Sequence, residues 1–378
     1  MPAKVKHNIL IYEGCNYMKN RLILSTLSGK SVKIEDIRSQ HDDPGIREFE
    51  LNLLTFLRKI SNGMRAEVNE TGTSLYYVPG NLEGGEFEHD CSLQRSISYY
   101  LEVALALAPF CKQSLSVKFK GITNSTLDPS IDRIKSSGIP IVKQFLGPAY
   151  EIELRIKKRG VAPLGGGEVH LKCPVIRSLR TLQLLDSGLV KRIRGVACSL
   201  RVSPAISNRL VESAKGVCLN FIPDVYIHTD ASRGAVSGKS PGFGICLSAE
   251  TTTGVVYCGE SVSPIVPPGG LPCIPEDLGK EAALKLLDEI HRNGCVDSPF
   301  QMITALFMAL GKQDVSKITT GPLTPVMIQF LRDLKDFFGV KFQLEFVKED
   351  EDDTVTMENQ VTLTCIGIGF SNYNKPVR

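Results

Sequence analysis

Three stretches decide how this chain folds: "LSTLSGKSVKI" (24–34), "LALAPFCKQSLSV" (105–117) and "LFMALGKQDVSKI" (306–318). Each closes an apolar helix, breaks at Gly or Pro, and opens a strand. The segments C-terminal to them also match one another: "DDPGIREFELNLLTFLRKI" (42–60), "LDPSIDRIKSSGIPIVKQFL" (127–146) and "LTPVMIQFLRDLKDFF" (323–338). Asp or Thr is the expected N-cap, with Pro at the first helical position, where a missing N–H is harmless. Apolar residues recur at helical spacing, as Ile46, Phe49, Leu53, Leu57 and Ile60 in the first and Leu331, Leu334 and Phe338 in the third, so one face of each helix faces a core. Alternating hairpins come next: "RAEVNETGTSLYYV" (65–78), "YEIELRIKKRG" with "GGGEVHLKC" (150–173), and "KFQLEFVKED" with "QVTLTCIGIG" (341–369). The fold predicted is α+β: three repeats of helix, strand, helix and hairpin, each with two helices packed on a four-stranded sheet.

The spacing between repeats is uneven. The second-helix signature recurs after about 85 residues and then only after roughly 195, so about a hundred residues are inserted before the third repeat. Residues 186–293 carry their own alternation, with "VKRIRGVACSLRV" as strand, "PAISNRLVESAKG" as helix, "FGICLSAE" and "GVVYCGE" as strands, and "PEDLGKEAALKLLDEIHRNG" as helix. They predict a small α/β insert domain, with residues 1–185 and 294–378 forming the large domain. The Pro/Gly-rich "SPIVPPGGLPCIPED" reads as a surface loop of the insert.

A net charge of +3, from 44 basic and 41 acidic residues, excludes a histone-like polycation, so any nucleic-acid contact is a local patch. The eleven cysteines include no C-x-x-C pair and no zinc spacing, and read as buried thiols of a reducing compartment. No apolar run is long enough to span a bilayer or to act as a signal peptide, which predicts a cytosolic or nuclear protein without a membrane contact. With no tryptophan, no stacking platform of the RRM or OB type is visible.

Several motifs invite a ligand and decline it. "KKRGVAPLGGGEVHLKCP" (157–174) sets three basic residues before three glycines, but it lacks the lysine-serine or lysine-threonine ending and following helix of a P-loop. "SPGFGICLS" (240–248) opens no helix, so a dinucleotide reading fails. The acidic run "EDEDD" (349–353) lacks the spaced oxygen ligands and glycine of a calcium loop and reads as a solvated hairpin tip. No metal and no cofactor is predicted.

With "LSTLSGKSVKIEDIR", "DPGI", "RGVAPLGGGEV" and "ALFMALGK" together, nearly the whole chain resembles the RNA 3′-terminal phosphate cyclase family. The resemblance implies three such repeats with an α/β insert between the second and third. It also implies adenylylation of a terminal RNA phosphate, with AMP carried on a histidine of the third repeat. A phosphoramidate needs a nucleophilic imidazole, yet the matching "CVDSPFQMITALFMALG" (295–311) has no histidine. "YEGCNYMKNR" (12–21) has given up most of the family's glycine run, and "IRSQHDDPG" (37–45) keeps Arg38 but has His41 where a second arginine is expected. "MKNRLILSTLSGK", "DPGIREFE", "NGMRAEV" and "FLRDLKDFF" are similar to the family's eukaryotic cyclase-like branch. That branch implies a nucleolar factor of early small-subunit assembly, acting on pre-rRNA at the cleavages that release 18S rRNA, within the small-subunit processome and with a large ribosome-biogenesis GTPase as partner.

Two sets of candidate site residues emerge. Arg332 and Lys335 lie one turn apart on one helix face, with Asp333 at its edge, so the three offer a phosphate clamp and a general base for metal-free RNA cleavage through the 2′-OH; equally, Arg332 can pair with Asp336 on an exposed helix face. Lys19, Arg21, Arg38, Arg155, Lys157, Lys158 and Arg159 are drawn from two repeats and offer one RNA- or anion-binding groove, or else solvated faces without a partner. The sequence leaves three readings: a non-cyclase pre-rRNA processing factor, a pre-rRNA endoribonuclease, and a purely structural assembly factor.

Overall fold

The computed structural model describes residues 4–6, 9–265, 269–346 and 360–372; the acidic run at 349–353 lies outside them. The fold is mixed α+β. The first sheet is built from β1 (Ile9–Glu13), β2 (Ser31–Glu35), β3 (Arg65–Val68) and β4 (Leu75–Val78), with helices α1 (Met18–Ser28) and α2 (Glu48–Ile60) between its strands. β1 runs parallel to β2, β2 antiparallel to β4, and β4 antiparallel to β3, while a short strand at Lys4–Lys6 extends the outer edge.

The second sheet has β5 (Gly85–Asp90), β6 (Leu115–Gly121), β7 (Glu153–Lys158) and β8 (Gly167–Cys173), with α3 (Ile97–Leu107) and α4 (Ile139–Leu146) in its connections. Again the first two strands are parallel and the hairpin joins through its second strand. A further strand, β9 (Gln183–Leu184), lies parallel to a strand far along the chain. Between the two comes a separate sheet of β10 (Val190–Leu200), β11 (Val225–Ser232), β12 (Gly242–Thr251) and β13 (Val256–Val262), in the order β11-β10-β12-β13 and covered by α5 (Ala205–Cys218) and α6 (Pro275–Arg292). The chain then returns through α7 (Gln301–Leu310), β14 (Val315–Thr320), α8 (Pro325–Phe338), β15 (Gln343–Phe346) and β16 (Val361–Ile366), giving a sheet ordered β9-β14-β16-β15.

Three details differ from the sequence reading. It does not contain the opening strands β1, β5 and β9, nor β11. β5 is "GEFEHD", whose charged residues alternate with the partly covered Phe87 and the buried His89, and β9 is two residues long. The N-caps also shift. Only α8 starts as expected, with the Thr324 hydroxyl accepting from Met327 N–H and Pro325 in the first turn. In the first unit Pro44 stays in the preceding loop, and α2 starts after Arg47, whose N–H donates to Glu50 at 2.8 Å. In the second, the Ser130 side chain caps a helical turn at Ile131–Arg133, which passes through a π turn at Ile134–Gly138 before α4. A Cβ on Gly138 would sit 2.6 Å from the Phe300 ring, so glycine lets the end of the π turn pack closely on the residue just before α7. Finally, the buried stripe of α8 is Met327, Phe330, Leu334 and Phe337, with Leu331 and Phe338 at its margin.

The apolar core is continuous through the helices and most of the strands, with the exposed β15 outside it, and α1 packs directly on both α3 and α8. The cysteines of the described residues are free thiols, and all except Cys15 and Cys273 are buried. No helix among the described residues is long and apolar enough to cross a membrane.

Candidate RNA and anion sites

The seven basic residues do not form one groove. They fall into separate environments, and most already have a carboxylate.

Arg21 lies on the buried face of α1, 4% exposed, with its guanidinium 4.0 Å from the Tyr12 ring centroid, within the range of a cation–π contact. Its Nε lies 3.5 Å from Asp333 Oδ2, close enough to pair but not aligned as a hydrogen bond. Asp333 itself has 0% exposure and accepts a hydrogen bond from Gln329 Nε2 at 2.8 Å. Burial raises its pKa above the usual carboxylate range, and Arg21 opposes that shift. The expected edge position of Asp333 is therefore corrected: Arg332 and Lys335 are exposed, while Asp333 points inward to α1. Asp336 lies 3.4 Å from the Tyr12 hydroxyl, which donates to it.

Lys19 meets a residue the sequence reading missed, Arg95, around the ring of Tyr99. Lys19 Nζ lies 4.8 Å from the Tyr99 ring centroid and pairs with Glu102. Arg95 lies 4.6 Å from the same centroid, and its Nε donates to Asp128 at 3.0 Å. Arg38, at a left-handed φ of 49°, donates to both oxygens of Glu50 at 2.7 Å and to the Gly45 carbonyl at 3.0 Å. A lone arginine just before the Ser96 cap gives no sequence signal. Each of these cations is matched by a carboxylate, so an incoming phosphate would have to displace an acid to bind here.

Arg155 is exposed on β7 and pairs with its neighbour Glu153. The last three lie elsewhere, where β7 runs into the glycine loop and meets the inserted sheet. Arg159 is 7% exposed; its two terminal nitrogens donate to Asp132 at 2.5 and 2.9 Å and its Nε to Asp230 at 2.7 Å. Burial opposes the charge of Arg159, and the hydrogen bonds and charge of Asp132 more than reverse that, raising its pKa. The loop glycines serve the same junction. Lys239 N–H donates to the Gly165 carbonyl at 2.9 Å, and a Cβ on Gly238 would lie 2.5 Å from that oxygen. From the loop side, a Cβ on Gly166 would lie 3.1 Å from Lys239 N, so glycine at this position of "RGVAPLGGGEV" lets the inserted sheet dock on the loop. Lys157 and Lys158 line a cavity at this seam.

No histidine follows His291 in the chain, so residues 295–311, where the resemblance implies an AMP-carrying histidine, contain none.

The sequence model of the RNA 3′-terminal phosphate cyclase family matches residues 10–344. The RNA 3′-terminal phosphate cyclase-like protein of Mus musculus is 51% identical over 370 residues, covering 98% of this chain and 98% of its own. A probable RNA 3′-terminal phosphate cyclase-like protein of Drosophila melanogaster is 50% identical over 381 residues, covering 100% and 99%. The rRNA processing protein rcl1 of Schizosaccharomyces pombe is 42% identical over 374 residues, covering 97% and 98%. The chain belongs to the RNA 3′-terminal phosphate cyclase family.

Proposed function

We propose that this chain acts in rRNA processing, at the early pre-rRNA cleavages that release 18S rRNA for the small ribosomal subunit, and that it does so without cyclase chemistry. The observation that carries this reading is an end-to-end match to a relative named for rRNA processing, joined to a third unit with no histidine to hold AMP. The proposal places it in the nucleolus, within the small-subunit processome, with a ribosome-biogenesis GTPase as partner. It also takes the fold as three copies of one unit, with 1–185 and 294–378 as the large domain and 186–293 as the insert. In support, each of the three sheets pairs its strands in the same way: parallel opening pair, then a hairpin joined through its second strand.

The test is depletion of the protein in its own cells, followed by pulse-labelling of rRNA. Loss of new 18S rRNA with large-subunit rRNA still made is the expected result, and unchanged 18S output would remove the proposal.

A second reading, endonuclease action through Arg332, Asp333 and Lys335, is favoured by one observation: Asp333 is a carboxyl whose pKa is raised by burial, the property of a tuned general base. It takes second place because a base must reach the 2′-OH within about 3 Å, and Asp333 is sealed under α8. Cleavage of a pre-rRNA transcript by the purified protein, lost in Arg332→Gln/Lys335→Gln, would move this reading to first place. No cleavage, or cleavage unchanged in that variant, would remove these residues from it.

A further inference from the structure

We propose that the cavity at the seam between β7 and the inserted sheet binds the backbone phosphates of a single RNA strand. The choice of polymer rests on the rRNA-processing reading; the site itself rests on geometry. The cavity measures about 350 Å³. Lys157, Lys158 and Arg159 reach it from β7 and the loop after it, Lys135 from the π turn, and His228 from β11.

Charge decides what it can hold. Asp132 and Asp230 are the acidic residues of its wall, and both are committed to Arg159, so that group keeps a single net negative charge, which the three lysines of the wall outweigh. Lys135 and Lys157 are exposed and Lys158 is half-buried, and among the described residues none of the three has a side-chain ion pair or hydrogen bond. Three ammonium groups on one concave wall, with both nearby carboxylates already occupied, attract an anion and hold it by charge rather than by base sequence. This contrasts with the Tyr99 cluster, where every cation has its own acid. His228 is exposed on the same wall and offers a planar ring for an unstacked base, an option that RNA single strands exploit. The site thus spans two sheets, and a strand seated there would contact both at once.

The experiment measures binding of a fluorescent single-stranded RNA 12-mer to the full chain across a salt series. The variants are Lys135→Gln/Lys157→Gln/Lys158→Gln, a charge-matched control Lys33→Gln/Lys112→Gln/Lys285→Gln, and His228→Ala. Of the control lysines Lys112 and Lys285 are exposed and Lys33 is half-buried, and they are paired with Glu83, Glu281 and Glu35. Three lost single-strand phosphate contacts lower the slope of log K against log salt by about 2, and weaken binding roughly hundredfold at 0.1 M salt. His228→Ala weakens binding about fivefold with the slope unchanged. Equal losses in the cavity variant and the control overturn the proposal, as does wild-type RNA affinity in the cavity variant. Displacement of the RNA by millimolar inorganic phosphate overturns the strand as ligand. If the cavity variant binds as wild type while depletion still stops 18S synthesis, the site fails and the functional reading stands.

Discussion

Two of the buried arginines are held in opposite ways. Arg159 has three hydrogen bonds to two carboxylates and joins the second sheet to the inserted one. Arg21 is buried as deeply, yet its Nε and Nη1 have no hydrogen bond and its charge rests on a 3.5 Å contact and the face of Tyr12. A satisfied buried ion pair is rigid, whereas an underbonded one leaves much of its desolvation penalty uncompensated. Arg159 thus reads as a strut between sheets. The α1–α8 contact around Arg21 is a place where a small rearrangement would gain hydrogen bonds.

The largest effect is expected where the strut is removed. Arg159→Met leaves Asp132 and Asp230 without their cation and destabilises by about 3 to 5 kcal/mol, measured by urea unfolding, with Arg159→Lys recovering only part because an ammonium cannot reproduce the fork. A loss under 1 kcal/mol would show that the seam is held by other contacts. Gly238→Ala tests the same seam independently: its Cβ meets the backbone atoms Gly165 O at 2.5 Å and Arg159 O at 2.8 Å, and a loss of about 1 to 3 kcal/mol is expected.

A third buried group sharpens the contrast because it avoids charge altogether. His89 is 1% exposed among Phe56, Tyr100 and Phe119, and burial, aided by Lys59, pulls its pKa from 6.5 to about 4. The folded chain therefore keeps the ring neutral while the unfolded chain protonates it. Stability from this group is complete above pH 6.5 and falls by about 3 kcal/mol as pH drops towards 4. His89→Gln should flatten that part of the stability–pH curve; an unchanged curve would assign the acid sensitivity to other groups.

The Arg21 site is expected to respond less. Asp333→Ala removes a weakly engaged partner and is expected to destabilise by about 2 kcal/mol, below the usual range for breaking a well-made buried pair, while Arg21→Met/Asp333→Leu returns close to wild type. A single-mutant loss matching that of Arg159→Met would erase the distinction between the two arginines. Smallest of all, Arg332→Gln/Lys335→Gln changes exposed side chains and shifts stability within about 0.5 kcal/mol. That makes it a cleaner probe of RNA cleavage than Asp333→Ala.

Much of the fold was legible because Gly and Pro punctuate it. The breaks before β2, β6 and β14, the hairpins β3–β4 and β7–β8, and the strand "VKRIRGVACSL" all lie where alternation and turn residues put them. Strands such as β5 and β9 escaped because a short or charge-rich edge strand is defined by its neighbour more than by its own sequence. The sites were less legible for a related reason. "KKR" announces three cations, but that the third is buried and the first two are not depends on Asp132 and Asp230, which are 27 and 71 residues away. In the same way, helical spacing puts Arg332 and Lys335 on one face, while only packing against α1 turns Asp333 inward.

The central claim is that the chain keeps the family fold while lacking its covalent chemistry. The most direct test is incubation of the purified protein with α-labelled ATP and an RNA carrying a 3′-phosphate, followed by acid-stable and acid-labile readouts of protein-bound label and by analysis of the RNA end. The account predicts no protein–AMP adduct and an unchanged 3′-phosphate. An acid-labile AMP adduct, or a 2′,3′-cyclic phosphate formed with ATP, would contradict it.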